Sequence, residues 1–393
     1  MSLSFNARRL LLPLVPLYRL ALAFREFRLC TGLKPVRRLR LPVISIGNLS
    51  TGGAGKTPLT VALANGLSAR GFYVDVLSRG YGRQSTLAAR VDPNGRAEEF
   101  GDEPLLIARE AGVPVYVAPQ RYDAGLMAEQ ALSASTNLAV HLLDDGFQHR
   151  QLARDVDILL LNLQDWQDTP LPAGNLRESL TAIRRASVIA IPANEPELVE
   201  ELNAWGWQGP VWRLRRNMEV PAVAGPVAAF CGIARPEQFF GGLEAAGLTV
   251  AFRRIFSDHH QYNVADINSL GSAARAAGAT AFITTEKDLL RLGKLATALP
   301  ASMPIVTARL TIEIEDEGAA LNWLISRPGQ THLDIPCGKP LLLHRFQMIC
   351  SLVADGISIG LPKLKPCKKS PFAIKMPVFL MENAVFQAKF ARD

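Results

Sequence analysis

Cysteine is scarce in this sequence, and no two cysteines form a CxxC pair: Cys30, Cys231, Cys337, Cys350 and Cys367 are scattered along 393 residues. That scatter excludes a disulfide framework and a zinc knuckle, and it points to a reducing compartment with the thiols serving as small buried side chains. An uninterrupted apolar run of the ~20 residues that a spanning helix needs is also missing. The most apolar stretch, RRLLLPLVPLYRLALAFREFR from Arg8 to Arg28, is cut by Arg19 and broken in its first half by Pro13 and Pro16. Arginines follow it where a signal peptide would carry a small-residue cleavage site, so no cleaved leader is expected. Repeats and long low-complexity tracts are lacking. Outside the tail, lysines and arginines are dispersed rather than gathered on a face with aromatic stackers, which argues against nucleic acid as a partner.

What is present is the composition of a folded protein, with 48% hydrophobic and 20% charged residues. The length suits two domains, and the formal charge of +7 favours anionic partners in general. LPVISIG (Leu41 to Gly47) reads as a strand, TPLTVALANGLSARG (Thr57 to Gly71) as a helix closed by glycine, and FYVDVLS as the next strand. Strand, glycine-rich loop, helix, strand is the unit of a parallel α/β sheet. Further strands are expected at Val113–Ala118, Leu138–Leu143, Val156–Asn162 and Ala186–Pro192. The texture changes between Glu195 and Pro221, where Trp205, Trp207 and Trp212 lie, and strands resume at PVAAFCGI (Pro226 to Ile233) and ATAFITTEKD (Ala279 to Asp288). The expected organisation is therefore an N-terminal segment 1–40, a phosphate-loop lobe 41–220, a smaller α/β lobe 221–328 and a tail 329–393.

NLSTGGAGKTPL, from Asn48 to Leu59, sits between the first strand and its helix. A phosphate-binding loop needs glycines so that backbone N–H groups converge on the phosphates, a lysine that reaches the β and γ groups, and a hydroxyl for magnesium. Ser50, Thr51, Gly52, Gly53, Ala54, Gly55, Lys56 and Thr57 supply all three, with Ser50 where the strict pattern has glycine. ATP and Mg2+ are the implied cofactors. Enzymes of this kind hold the metal with an aspartate at the end of a neighbouring strand. Asp144 and Asp145 directly follow LAVHLL, and spacing does not choose between them. For an acceptor hydroxyl the chain offers two candidate proton acceptors. One is Asp102 with Glu103 in GDEP; the other is Asp258, His259 and His260 in FSDHHQY. Arg79 and Arg83 in LSRGYGR are candidates for holding an anionic acceptor.

Together ISIGNLSTGGAGKTPLT, LSRGYGR, GDEP, LDDGFQHR, PAGNLRE, FCGIARPEQFF, FSDHHQY and TTEKD resemble the tetraacyldisaccharide 4'-kinase family, the lipid A 4'-kinases of Gram-negative bacteria. The resemblance runs from the N-terminus to about Pro328, and Ser50 fits the family's own loop variant. It implies transfer of the ATP γ-phosphate to the 4'-hydroxyl of tetraacyldisaccharide 1-phosphate, giving lipid IVA, at the cytoplasmic face of the inner membrane. It also implies a cleft between a large phosphate-loop lobe and a smaller lobe. Lys56 would hold phosphates, Thr57 magnesium, Asp144 and Asp145 the metal side, and Asp102 would be the base, helped by a histidine, with His259 favoured over His260. Arg79, Arg83 and Glu103 fall on the substrate side. A lipid acceptor stays in its bilayer, so the basic N-terminal segment is expected to lie in the membrane interface as a peripheral, amphipathic helix. The tail departs from the family; it faintly echoes Trm112-type modules and is read as a degenerate remnant without zinc. A partitioning-type ATPase would carry lysine where Thr51 stands, and a guanine site expects [NT]KxD, from which TEKD is displaced by one.

Overall fold

The computed structural model describes residue 8 and residues 10–327, apart from 133–137. The expectations for the tail, with Cys337, Cys350, Cys367 and the absent zinc, fall outside the described residues.

Besides short 3-10 turns, the chain runs α1 (Val15–Cys30), β1 (Val43–Asn48), α2 (Lys56–Ser68), β2 (Tyr73–Ser78), β3 (Ala89–Arg90), α3 (Ala97–Phe100), α4 (Asp102–Ala111) and β4 (Val115–Val117). Next come α5 (Arg121–Ala131), β5 (Ala139–Asp144), β6 (Val156–Leu160), α6 (Leu163–Trp166), β7 (Val188–Pro192), α7 (Glu197–Ala204) and β8 (Val211–Glu219). It continues through β9 (Val227–Cys231), α8 (Pro236–Ala245), β10 (Val250–Ile255), α9 (Val264–Ala276), β11 (Ala281–Thr285), α10 (Glu286–Leu292), β12 (Ile305–Ile314) and α11 (Glu317–Ile325). The stretch from Glu195 to Pro221 holds the helix α7 and the long strand β8.

All strands join one sheet in the order β10-β9-β11-β12-β8-β7-β6-β1-β5-β2-β4-β3. Neighbours are parallel except β12 with β8 and β4 with β3. Parallel strands covered on both faces read as near-continuous apolar runs, which is why β1, β5, β6 and β9 are buried at every position. The first half of β12 pairs parallel with β11, and its second half, Arg309 to Ile314, pairs antiparallel with β8. One strand therefore serves both the large phosphate-loop lobe and the smaller α/β lobe around β9–β11. Sequence order groups residues 309–325 with the smaller lobe, but Ile312, Ile314, Leu321 and Leu324 pack in the core of the large one, against Leu59, Leu63 and Leu67 of α2. Each such side chain contributes about 1.5–3 kcal/mol on full burial, and this outweighs order along the chain.

The N-terminal prolines start α1 rather than break it: Pro16 occupies the first turn, where its missing N–H has no partner to lose. The helix is inside-out. Leu17, Leu20, Phe24 and Phe27, spaced as one helical stripe, are exposed. Arg19 and Arg28 are exposed, while three polar side chains face the protein: Tyr18 donates to the Arg177 carbonyl at 2.8 Å, Arg25 meets Glu178 at 2.8 Å, and Glu26 pairs with Arg150. Among the described residues no helix is long and apolar enough to cross a membrane. Cys231 is buried as expected, whereas Cys30, at the end of α1, is partly exposed and hydrogen-bonds Glu26.

Candidate active site

The loop between β1 and α2 turns on two glycines with left-handed backbone, Gly52 at φ 112° and Gly55 at φ 92°. Close approach forbids side chains there as well: a Cβ on Gly52 would lie 2.8 Å from Ala234 Cβ, and one on Gly55 2.8 Å from Ile312 Cδ1. The amides of the loop and of the first turn of α2, with the positive end of that 13-residue helix, form an anion seat. Lys56 donates from Nζ to Asn48 Oδ1 at 2.9 Å and lies 3.3 Å from Asp145 Oδ1. Ser50 is buried, and its Oγ accepts a 3.0 Å hydrogen bond from Asn48 Nδ2. A hydroxyl is thus fixed where the strict pattern has glycine. The Thr51 amide donates to the Asn175 carbonyl at 2.8 Å, which ties the loop to the Asn175–Glu178 segment.

β5 lies beside β1 with Asp144 opposite Ile46, so both carboxylates arrive next to the loop. Asp144 is buried; Oδ1 accepts from Thr60 Oγ1 at 3.3 Å, and Oδ2 has no hydrogen-bond partner. Burial, with the neighbouring Glu103 and Asp145 carboxylates, pushes its pKa up to about 7. A buried carboxylate oxygen without a partner, in the same cleft as the Thr57 hydroxyl, fits a hard divalent cation. Asp145 differs. It has positive φ, 48°, and its oxygens are both 3.0 Å from Arg177 Nη1. Burial opposes its ionisation, but Lys56 and Arg177 hold its pKa down at about 2.

Asp102 is buried behind the residues that line the cleft and opens α4 directly after Gly101, whose φ of 92° only glycine adopts freely. It is 4% exposed. Oδ1 accepts from the Glu103 amide at 3.0 Å, and Oδ2 accepts from Arg291 Nε at 2.8 Å and from Arg291 Nη2. Burial opposes ionisation here too, yet the His259 hydrogen bond and the charges of Arg291 and Lys287 keep the carboxyl well below the usual range. His259 Nδ1 lies 3.5 Å from Asp102 Oδ2, and that contact raises its proton affinity; Tyr81 packs on the ring at 5.0 Å. Glu103 accepts from Lys287 Nζ at 2.6 Å, and the lysine keeps it ionised.

His259, Arg79 and Glu103 line the cleft, but Asp102, His260, Arg83 and Ser50 do not. His260 is turned into the smaller lobe, 2.9 Å from Asp266 and stacked on Phe256 at 4.7 Å, so of the two histidines only His259 meets the cleft. The guanidinium nitrogens of Arg83 are buried behind the loop without hydrogen-bond partners, since the side chain folds against Gly80. Four residues with no role assigned from sequence do line it: Arg121, Arg177, Lys287 and Arg291. Arg121 is buried, and burial lowers its pKa to about 10. The quoted segments PAGNLRE and TTEKD already contained Arg177 and Lys287; nothing local signalled their long-range partners. The cleft encloses about 1200 Å³.

A family model of tetraacyldisaccharide-1-P 4'-kinases matches residues 7–328. The tetraacyldisaccharide 4'-kinase of Koribacter versatilis is 42% identical over 324 residues, covering 80% of this chain and 97% of that one. Its counterpart from Nitrobacter winogradskyi is 39% identical, with 81% and 93% covered. Among solved structures, the "apo" form of LpxK from Aquifex aeolicus in complex with ATP superposes with a TM-score of 0.63 at 32% identity, covering 81% of this chain and 98% of that one. A match of this extent, on relatives spanned over nearly their whole length, means that the chain belongs to the tetraacyldisaccharide-1-P 4'-kinase family.

Proposed function

We propose that this chain transfers the γ-phosphate of ATP to the 4'-hydroxyl of tetraacyldisaccharide 1-phosphate, forming lipid IVA, inside the cleft that joins the phosphate loop to the Asp102–His259 pair. The observation that carries this reading is one cleft lined by Lys56, by a partnerless Asp144 carboxylate oxygen and by His259, whose Nδ1 lies 3.5 Å from the buried Asp102 carboxylate. Residues 51–57 cradle the polyphosphate, and Lys56 reaches its outer phosphates. Thr57 and Asp144 would hold magnesium, with Asp145 acting through Lys56 and Arg177. When bound, the metal neutralises charge on the phosphates.

The bond that forms joins the 4'-oxygen to the γ-phosphorus, the bond that breaks joins that phosphorus to the β,γ-bridging oxygen, ADP leaves, and the hydroxyl proton passes to Asp102. A carboxylate held this far into its ionised form is a weak base, so it takes the proton late, once the new bond has made the hydroxyl acidic. Catalysis then comes chiefly from in-line positioning and charge neutralisation. Arg79 and Arg121 face the anionic acceptor, Glu103 lies beside them, and Arg83 supports the loop that carries Arg79.

The acceptor's four acyl chains keep it in a bilayer. The exposed stripe of α1 supports peripheral binding at the cytoplasmic face of the inner membrane, with Arg19 and Arg28 toward lipid headgroups. We assign the lobe 41–220 to the nucleotide and the lobe 221–328 to the acceptor side, and no nucleic acid to either. The test is labelling by [γ-32P]ATP of lipid disaccharide against protein and nucleic acid. Label confined to the lipid supports the assignment, and an unlabelled lipid overturns it.

A further inference from the structure

Arg291, near the end of α10 in the smaller lobe, is 6% exposed and has every donor engaged. A guanidinium carries five N–H groups in a fixed fork. Nε donates to Asp102 Oδ2 at 2.8 Å; Nη2 donates to the same oxygen and lies 3.2 Å from His259 Nδ1. Nη1 donates to the Gly232 carbonyl at 2.7 Å and to Asp288 Oδ1 at 3.1 Å. The anchor is itself fixed. Asp288 accepts from the Gly232 amide at 3.0 Å, from Tyr262 at 3.0 Å and from Thr285 Oγ1 at 2.7 Å.

We propose that Arg291 is the positioning residue of this kinase: from its seat on the Gly232 carbonyl and Asp288, its fork holds the Asp102 carboxylate and the His259 ring in their working arrangement and so ties proton acceptance to the place of the smaller lobe. Asp102 Oδ2 receives two bonds from one rigid group, which leaves the carboxylate little freedom to turn away from His259. A bridge from Arg291 to His259 requires one tautomer of the neutral ring. In the neutral ring Nδ1 accepts from Arg291 and the proton sits on Nε2; a second proton, bound at Nδ1, would turn that nitrogen toward Asp102 Oδ2 instead. Charged groups face Asp102 from every side: Glu103 on its own helix, Lys287, Asp288 and Arg291 from α10, and Asp258 and His259 from the loop after β10. Arg291 is the cation in direct contact.

The inference rests on reading Asp102 as the proton acceptor. The experiment uses the full chain with tetraacyldisaccharide 1-phosphate in detergent micelles and follows kcat and KM from pH 5 to 9. In the wild type the Asp102 acid limb lies below this window; in Arg291→Met the buried carboxyl loses its contacting charge and the limb moves up by about 1–3 pH units toward the lower edge, so that kcat at pH 5 falls relative to kcat at pH 8. KM for ATP stays within about threefold, because the phosphate loop is untouched. Arg291→Lys keeps the charge but not the fork; its acid limb stays in place while kcat falls about tenfold or more. An unmoved acid limb in Arg291→Met, or wild-type kcat in Arg291→Lys, overturns the proposal. Should both variants fail to fold, 15N-histidine spectra of the wild type decide, with His259 assigned by its loss in His259→Gln: an Nε2–H neutral tautomer supports the bridge, and Nδ1–H refutes it. If Asp102→Asn stays active, it is the reading of Asp102 that falls; an inactive Asp102→Asn beside an unaffected Arg291→Met defeats the positioning role alone.

Discussion

Asp102→Asn exchanges one oxygen for an NH2 group and keeps the shape of the side chain. The amide oxygen can still accept from the Glu103 amide, but the NH2 then meets the Arg291 fork, donor against donor, where Oδ2 accepted two bonds. Two losses follow, and they are separable. Losing a positioned proton acceptor lowers turnover by about 10²–10⁴-fold, or roughly 3–5 kcal/mol of transition-state stabilisation. Breaking a buried ion pair from one side costs about 3–5 kcal/mol of stability, and the low end applies because Arg291 retains Asp288 and the Gly232 carbonyl. At about 2–4 °C per kcal/mol, Tm falls by roughly 10 °C. The assay is phosphate transfer to lipid disaccharide at a temperature well below both melts, with ATP affinity measured separately. That affinity stays near wild type, since Asp102 heads α4 whereas the proposed phosphate seat lies between β1 and α2. A folded Asp102→Asn protein turning over within about threefold of wild type refutes the reasoning.

Burial, with Arg121, Arg154, Lys34 and Arg79 around it, lowers the pKa of His149 to about 3. A histidine depressed on folding binds fewer protons folded than unfolded, so its burial erodes stability as pH falls below about 6.5 and on toward its folded value. Tm therefore drops with acidification in that window, and His149→Gln flattens the drop; parallel Tm curves for the two proteins contradict this. Replacing Leu20 and Phe24 on the exposed stripe of α1 by serine removes about 3 kcal/mol of lipid-facing apolar burial, so co-sedimentation with anionic vesicles weakens by about 100-fold while Tm holds. Unchanged sedimentation removes the interfacial role. Glu178→Gln unpairs Arg25 and Arg185 on either side of it and loosens the Asn175–Glu178 segment. KM for ATP rises by about 3–10-fold with vesicle binding intact, and an unaltered KM shows that the segment does not support the loop.

The parts of the site that were legible in the sequence are those built within a few residues. Lys56 and Thr57 follow a strand and open a helix, Asp144 ends a strand beside that one, and Asp102 opens a helix after a glycine; each leaves a local signature. Arg291 and Lys287 left none, because what distinguishes them is the company of Asp102 and Glu103, 189 and 184 residues away. For the same reason residue spacing did not separate the neighbours His259 and His260, and the preference for His259 came from the family resemblance. Only backbone direction, with His259 at φ 57°, sends one ring into the cleft and the other onto Phe256. The choice between Asp144 and Asp145 also lay beyond spacing, since it turns on which oxygen is left without a partner. Strand positions were readable because buried parallel strands are apolar throughout, but the return of residues 309–325 to the large lobe was not. Their apolar pattern fits either core.

Besides the Glu26–Arg150 pair, the polar face of α1 and Arg8 just before it meet one segment. Arg8 donates to Asn175 Oδ1 at 2.6 Å, Tyr18 to the Arg177 carbonyl and Arg25 to Glu178. That segment in turn carries the phosphate site: the Thr51 amide donates to the Asn175 carbonyl, the Arg177 amide donates to the Leu49 carbonyl at 2.7 Å, and the Arg177 side chain holds Asp145, which pairs with Lys56. The element whose apolar stripe faces outward is thus two hydrogen bonds from the loop proposed to seat the nucleotide. On the opposite wall Arg291 and Lys287 bring the smaller lobe onto Asp102 and Glu103. A phosphate seat buttressed from the lipid side and a proton acceptor held from the smaller lobe depend on different parts of the chain, so each can be disturbed without the other. Turnover needs both in register, since a misplacement of about 1 Å at either wall costs on the order of 100-fold in rate.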